Sequence, residues 1–244
     1  MKLEIVRLAD DPALWETWDE LDDLWPPFMW QDPTGSFYYR YLREHFPEHC
    51  LLAVDRSTGR AVAKANSVPL AHDFSPSEEL PEGGWDWAIR QSVHDRLSGS
   101  VPTICSALEI MIRPTARGTG LSSVMLGAMR DNVTRLGFRD LIAPVRPIGR
   151  TGPVREYAFR VRPDGLPVDP WLRVHVRAGG RIVNVAHSSM VMTGRLAQWR
   201  TWTGLPFDAD GQVEVPEALA PVQVSLADDV AVYVEPNIWV HHRL

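Results

Sequence analysis

The sequence is poor in cysteine and has no long apolar run, and each absence excludes a class of protein. Only 2 cysteines occur among 244 residues, too few for a disulfide scaffold or a cysteine-rich zinc module. No stretch approaches the roughly 18–20 consecutive apolar residues of a membrane span. The first residues also lack the basic and apolar regions of a signal peptide. These absences predict a soluble, cytoplasmic protein with no membrane partner and no metal site.

The charges sum to a small negative value that conceals two opposite segments. Lys and Arg number 25 against 31 Asp and Glu, for a formal net charge of -6, which argues against a nucleic-acid partner. Residues 10–32 hold eight carboxylates and no Lys or Arg, whereas residues 113–162 hold ten arginines and three carboxylates. The first segment suits a cationic partner, and the second suits an anion such as phosphate.

Aromatic residues are concentrated near the N-terminus, where 10 of the 22 lie between Trp15 and Phe46. One interpretation is core packing beneath two helices. The other is an acceptor pocket, because aromatic rings and carboxylates together suit an amine or another cation. On the second interpretation the substrate-binding residues are Trp25, Trp30, Asp32 and Tyr38.

Apolar periodicity predicts strands and helices that alternate along the chain. Strands are expected over 3–8, 51–54, 61–68, 103–112, 141–145, 181–192, 213–215, 222–226 and 230–234. Helices are expected over about 12–24, 36–46 (capped by Ser36), 85–97, 121–136, 170–178 and 196–202, with a loop over 69–84. This order predicts a layered α/β or α+β sheet.

Residues 107–122 have the pattern of a strand, a glycine-rich turn and the start of a long helix. Gly118 and Gly120 allow a close backbone approach to an anion, and the helix N-terminus supplies free N–H groups and a positive dipole end. Arg117 adds positive charge. No Gly-Lys-Ser/Thr follows, which excludes a P-loop, and Ser123 stands where a dinucleotide fingerprint needs glycine. A plain glycine-rich connector is the structural alternative.

Arg117-Gly118-Thr119-Gly120-Leu121-Ser122, after Ile112-Arg113-Pro114, resembles the signature of the GCN5-related N-acetyltransferase superfamily. The local resemblance covers residues 103–146. It implies a mixed, mostly antiparallel central sheet with splayed middle strands and helices on both faces. It also implies a single domain over 1–244, with a family-specific insertion at about 146–168 and a C-terminal strand extension at about 204–244.

The resemblance implies acetyl-CoA or another acyl-CoA as donor. The pyrophosphate would bind to Arg117, Gly118, Thr119, Gly120, Leu121 and Ser122. The pantetheine arm would pair with Ile110, Met111 and Ile112, where the neighbouring strand diverges. Pro144 lies in that neighbouring strand and has no N–H to donate. A proline is tolerated there if the two strands are already unpaired at this position.

Acyl transfer to an amine requires a base, and the leaving thiolate requires a proton. The resemblance implies that a carboxylate on the strand before the turn, or a water relay, acts as the base. Glu109 is the only carboxylate on that strand and is the candidate base; a surface or edge-paired Glu is the alternative. His175 occupies the position of the family's usual tyrosine acid. It is therefore a second candidate, able to act as acid, base or relay, although a lone helical histidine is often structural. Tyr157 is the alternative phenol.

Three functions follow from these residues. The first is N-acyl transfer, most simply N-acetyl transfer, from acyl-CoA to the amine of a small molecule by direct attack. The second is transfer from an acyl-carrier protein, which the arginines of 146–162 could dock. The third is a non-catalytic acyl-CoA-binding module. A homodimer is a further expectation.

Overall fold

The computed structural model describes residues 2–75 and 78–244. The predicted loop over 69–84 includes residues 76 and 77, which lie outside the described residues. Within the described part, the chain forms one mixed sheet with helices packed against it, as expected from the alternation of elements. No described helix is long and apolar enough to cross a membrane.

Nine strands of the described residues form the sheet, in the order β1-β2-β3-β4-β5-β9-β8-β7, with β6 paired to β9. Only β4 and β5 pair in parallel; the other pairs are antiparallel. The strands are β1 Leu3–Arg7, β2 Cys50–Asp55, β3 Arg60–Leu70, β4 Ile104–Ile112, β5 Asp140–Val145, β6 Arg181–Gly194, β7 Gly211–Val213, β8 Val222–Ser225 and β9 Val230–Arg243.

The two parallel strands diverge, as the sequence predicted. Their register contains two pairs, Cys105 with Leu141 and Ser106 with Ile142. β4 then runs on to Ile112 and β5 to Val145 without further pairing between them. Pro144 lies in this unpaired stretch, while the other edge of β5 stays paired to β9. The divergence opens a gap in the middle of the sheet.

Helices cover both faces because side chains alternate along the strands. The helices are α1 Trp15–Asp19, α2 Pro33–Tyr38, α3 Tyr41–His45, α4 Gly84–Ser98, α5 Leu121–Arg135, α6 Val154–Ala158, α7 Pro170–Arg177 and α8 Leu196–Thr203. Leu52 and Val54 of β2 pack with α1 and α4 on one face. Leu51 and Ala53 pack with the apolar side of α5 on the other.

The N-terminal helices are shorter than the sequence predicted. The expected helix over 12–24 is a 3₁₀ turn, the five-residue α1 and a second 3₁₀ turn. The expected helix over 36–46 is two short helices, and the first begins after Asp32 rather than at Ser36. Asp32 is the N-cap because its carboxylate accepts the amide of Gly35. Large aromatic side chains of these short helices pack into the core, so the apolar pattern of this segment does not reflect one continuous helix.

The last strand is much longer than the predicted 230–234. β9 continues to Arg243 and pairs with β5 and β6 as an interior strand of the sheet. Pro236 hid this continuation in the sequence. It lies opposite an irregularity in the β6 register, between Glu235 and Asn237, where a missing N–H is tolerated. The single domain over 1–244, with its insertion at about 146–168 and its C-terminal strand extension at about 204–244, stays a prediction, but β9 itself is central.

Candidate active site

A cavity of about 790 Å³ opens where β4 and β5 diverge. Its walls are the end of β4, the turn before α5, the end of β5, α7 and the N-terminal segment 24–39. Residues 217–219 and Glu235 of β9 complete the lining. The gap in the sheet therefore joins the glycine-rich turn to the acidic, aromatic segment in one cavity.

The turn before α5 is arranged to hold an anion. Gly118 and Gly120 have φ of 77° and 83°, and a Cβ at either position would meet nothing within 4 Å. Within the described residues, the amides of Gly120, Leu121 and Ser122 donate no backbone hydrogen bond. These N–H groups lie at the positive end of the α5 dipole. The turn thus offers open space and free donors to a phosphate.

All but one of the predicted donor-binding residues line the cavity. Those that line it are Ile110, Met111, Ile112, Arg117, Gly118, Gly120, Leu121 and Ser122. Thr119 does not, and its hydroxyl instead donates to the carbonyl of Ala116 at 2.8 Å. Any part that Thr119 takes in donor binding is therefore through its backbone or through the shape of the turn.

Glu109 lies on the cavity wall and is almost fully buried, at 7% exposed. Burial in an interior strand excludes a surface or edge-paired glutamate. Its Oε1 accepts the indole N–H of Trp25 at 2.8 Å. Its Oε2 accepts the Tyr39 hydroxyl and the Asn66 amide, the latter at 3.0 Å, and lies 3.5 Å from Lys64 Nζ. A carboxylate with this many donors is fixed in place.

Three of the four predicted acceptor-binding residues line the cavity, namely Trp25, Trp30 and Asp32. Tyr38 does not; its ring packs against Phe37 and Tyr41. The next residue, Tyr39, lines the cavity in its place. The chain turns between α2 and α3 at this point, so the helical spacing assumed from the sequence does not apply.

Asp32 is 1% exposed, and its Oδ1 has no hydrogen-bond partner among the described residues. Burial raises the pKa of Asp32, opposed by the amides of Gly35 and Thr34. Burial and then the charge of Asp32 raise the pKa of Asp86 well above its ordinary value, with Arg90 opposing. Asp32 on the wall and Asp86 behind it are therefore neighbouring carboxyl groups with no buried cation between them in the described part of the chain.

A third carboxylate, Glu235, also lines the cavity but is paired with a cation. Both of its oxygens accept from Arg146 Nε at 3.1 Å. Arg146 also donates to the Glu217 carbonyl at 2.5 Å, and Arg150 donates to the Leu219 carbonyl. These two arginines of the basic segment thus face inward and hold residues 217–219 on the cavity.

His175 lines the cavity from α7 and is 5% exposed. Its Nδ1 lies 2.9 Å from Nε2 of His242, a residue of β9 that sequence reasoning did not select. Burial and then His242 lower the pKa of His175 to about 3, so the ring is neutral at pH 7. Nε2 of His175 has no hydrogen-bond partner among the described residues and is available to a ligand.

Tyr157 does not line the cavity. Its hydroxyl donates to Asp169 at 3.1 Å, and its side chain is 3% exposed. In this arrangement, Tyr157 therefore cannot take the acid role for which His175 is the other candidate.

Known proteins resemble this chain in sequence and in fold. The chain is 31% identical to the arginine N-acetyltransferase avaD of Aspergillus versicolor over 270 aligned positions, covering 97% of this chain and 92% of that protein. The search against family models found no match.

Two solved structures share the fold over nearly the whole chain. The loading GNATL domain of CurA from Lyngbya majuscula has a TM-score of 0.62 and 13% identity, covering 99% of this chain and 97% of that one. The GphF GNAT-like decarboxylase in complex with isobutyryl-CoA has a TM-score of 0.52 and 16% identity, covering 100% and 99%. The second structure is a decarboxylase, so the fold alone does not specify transfer to an amine.

The fold, the turn and the arginine N-acetyltransferase relative agree on one class. The chain belongs to the GCN5-related N-acetyltransferase superfamily. It is an acyltransferase that uses acyl-CoA as donor and a small-molecule amine as acceptor. The non-catalytic acyl-CoA-binding module is thereby set aside.

Proposed function

We propose that the acceptor is L-arginine or a closely related cationic amine, and that the acyl group is acetyl. The relative named above is an arginine N-acetyltransferase that matches 97% of this chain, which supports both parts. Acyl transfer to a small-molecule amine is the class of reaction already assigned, and arginine would be the particular acceptor.

The observation that carries the proposal is the buried Asp32 carboxylate on the cavity wall, whose Oδ1 has no hydrogen-bond partner among the described residues. Arg146 compensates Glu235, but no buried cation among the described residues compensates Asp32 and Asp86. The charge that lowers the pKa of both is that of Arg90, which is exposed. A guanidinium would supply that charge and donate hydrogen bonds to the carboxylate. The rings of Trp25 and Trp30, on the same wall, suit a planar cation. A neutral acceptor would supply no charge to oppose that of Asp32.

We further propose roles for the two predicted catalytic residues. The amine nitrogen attacks the thioester carbonyl, the C–S bond breaks, and Glu109 accepts the proton that the nitrogen loses. A neutral imidazole is a weak proton donor, so His175 donates a hydrogen bond from Nε2 to the leaving thiolate, which then takes its proton from water. No covalent enzyme intermediate is needed.

The test is thiol release from acetyl-CoA against a matched set of acceptors. L-Arginine and L-citrulline have the same length and differ in the charge of the terminal group. We expect kcat/KM for arginine to exceed that for citrulline at least about tenfold, from one charge-assisted contact. Equal values for the two, or release with neither, would contradict the proposal.

An acyl-carrier protein is the second donor to consider, since the first structural neighbour is a loading domain. Arg146 and Arg150 bond inside the protein, whereas Arg155, Arg160 and Arg162 are exposed and could meet an acidic partner. Kinetics with acetyl-CoA and with an acetylated carrier protein distinguish the two donors. We expect acetyl-CoA to be preferred. A homodimer stays a prediction that gel filtration with light scattering would test.

A further inference from the structure

Lys64 is a charged residue enclosed within the sheet. Its side chain is 0% exposed, and its ammonium binds the Asp22 carboxylate and lies 3.5 Å from Glu109 Oε2. The Nζ atom also lies 4.9 Å from the ring centre of Trp18. A buried ammonium is costly unless it is paired, and Asp22 and Glu109 pair this one.

The two oxygens of Glu109 are not equivalent in this cluster. Oε2 accepts hydrogen bonds from Tyr39 and Asn66, and Lys64 Nζ lies 3.5 Å from it as an ion pair. Within the described part of the chain, Oε1 receives only the Trp25 indole. Neither Lys64 nor Asn66 lines the cavity, whereas Glu109 does. Lys64 and Asn66 therefore act on Oε2 from behind the wall, whereas Tyr39 reaches it from the cavity side.

We propose that Lys64 is a positioning residue of acyl transfer, whose ammonium compensates the charge of Glu109 and helps to bind Oε2, so that Oε1 is left for the acceptor amine. The inference rests on the proposed role of Glu109 as base. It adds the residue that holds this base and the oxygen that receives the proton.

The groups that face Glu109 have opposite electrostatic effects. Lys64 of β3 favours the ionised carboxylate, whereas the negative charge of Asp22 disfavours it. Burial raises the pKa of Asp22, Lys64 lowers it, and the charge of Glu109 raises it further. Burial raises the pKa of Tyr39 and of the nearby Cys50 thiol, so both stay neutral near pH 7.

These effects give opposite predictions for two variants in the pH profile of kcat/KM. Lys64→Met removes the cation, so we expect the acidic limb to move to higher pH. Turnover at pH 7 should fall at least about tenfold with the acceptor KM little changed. Asp22→Asn removes the opposing charge, so its acidic limb should move to lower pH.

Two controls separate positioning from folding. Lys2 is exposed and is the other lysine of the chain, so Lys2→Met tests the same substitution away from the cluster and should match the wild type. Lys64→Arg keeps the charge and should restore the acidic limb. Limbs that stay at the wild-type pH, or that move in the same direction in Lys64→Met and Asp22→Asn, would overturn the proposal.

A measurement without substrate keeps the inference independent of the acceptor. The side-chain carboxyl carbon of Glu109, labelled with ¹³C, should titrate at higher pH in Lys64→Met and at lower pH in Asp22→Asn. If Lys64→Met does not fold, Lys64→Arg and Asp22→Asn still give the comparison. Absence of turnover with every cationic amine would overturn the proposed acceptor alone, whereas identical ¹³C titrations would overturn the role of Lys64 alone.

Discussion

At the scale of single residues, the site depends on how each buried charge is paired. Glu235 has Arg146, and Glu109 has Lys64. Asp32 has a neighbouring carboxyl, Asp86, instead of a buried cation, and this difference marks the position where a cationic acceptor would bind. His175 is buried but neutral, which suits a hydrogen-bond donor better than a proton donor.

Asp32→Asn tests the acceptor contact with little change in shape. Asparagine is also a good N-cap, so α2 should keep its start. We expect KM for arginine to rise about tenfold through loss of the charge-assisted contact, with kcat and KM for acetyl-CoA little changed. Asp208→Asn, at an exposed position, is the control. An unchanged KM for arginine in Asp32→Asn would exclude Asp32 from acceptor binding.

His175→Gln tests the proposed hydrogen bond to the thiolate. A hydrogen bond to a charged group contributes about 1.5–3 kcal/mol, so kcat should fall at least about tenfold. Calorimetry should find unchanged CoA affinity. Because the pKa of His175 is about 3, its titration should leave no limb in the wild-type profile between pH 5 and 8. Full activity in the variant would assign His175 a structural role.

At the scale of elements, divergence of β4 and β5 and the turn before α5 create the donor groove. Both were predictable from local sequence, since glycine spacing, the amphipathic helix and Pro144 all lie within about forty residues. The pairing of β5 with β9 was not, because Pro236 interrupts the strand pattern and its compensating irregularity lies in β6. His242, which touches His175, was missed for the same reason.

Gly120→Asp tests the turn directly. A carboxylate at φ 83° would occupy the open space and repel a phosphate. We expect acetyl-CoA to bind at least about tenfold more weakly, which is about 1.4 kcal/mol, by calorimetry. Gly137→Asp carries similar backbone strain at φ 97° and lies outside the cavity, so it should bind normally. Retained affinity in Gly120→Asp would refute the phosphate assignment.

At the scale of the whole molecule, the sequence predicted a layered sheet but not which charges would meet inside it. Lys64 could have been noticed as the one charged residue within the apolar run 61–68, yet its partners come from residues 22, 39 and 109. The prediction named Tyr38 instead of Tyr39, because the turn between α2 and α3 changes which side chain faces the cavity. Contacts of this kind depend on tertiary packing, which apolar periodicity does not encode.

The stability of the molecule should also depend on a histidine outside the site. Burial and then Arg135 lower the pKa of His49 to about 4, and its Nδ1 lies 3.0 Å from Ser67 Oγ. The unfolded chain therefore binds more protons below pH 6.5, and stability is lost as pH falls towards 4. Between pH 7 and 5, the wild type should lose about 2 kcal/mol relative to His49→Gln. Urea unfolding at both pH values measures this, and parallel losses would contradict it.

The central claim is that this acyl-CoA-dependent transferase selects its acceptor by a positive charge. The most direct measurement is kcat/KM for L-arginine and for L-citrulline with acetyl-CoA, in the wild type and in Asp32→Asn. We predict at least a tenfold preference for arginine in the wild type, from one charge-assisted contact, and a marked loss of that preference in the variant. Equal use of the two acceptors by the wild type, or a preference that survives in Asp32→Asn, would contradict it.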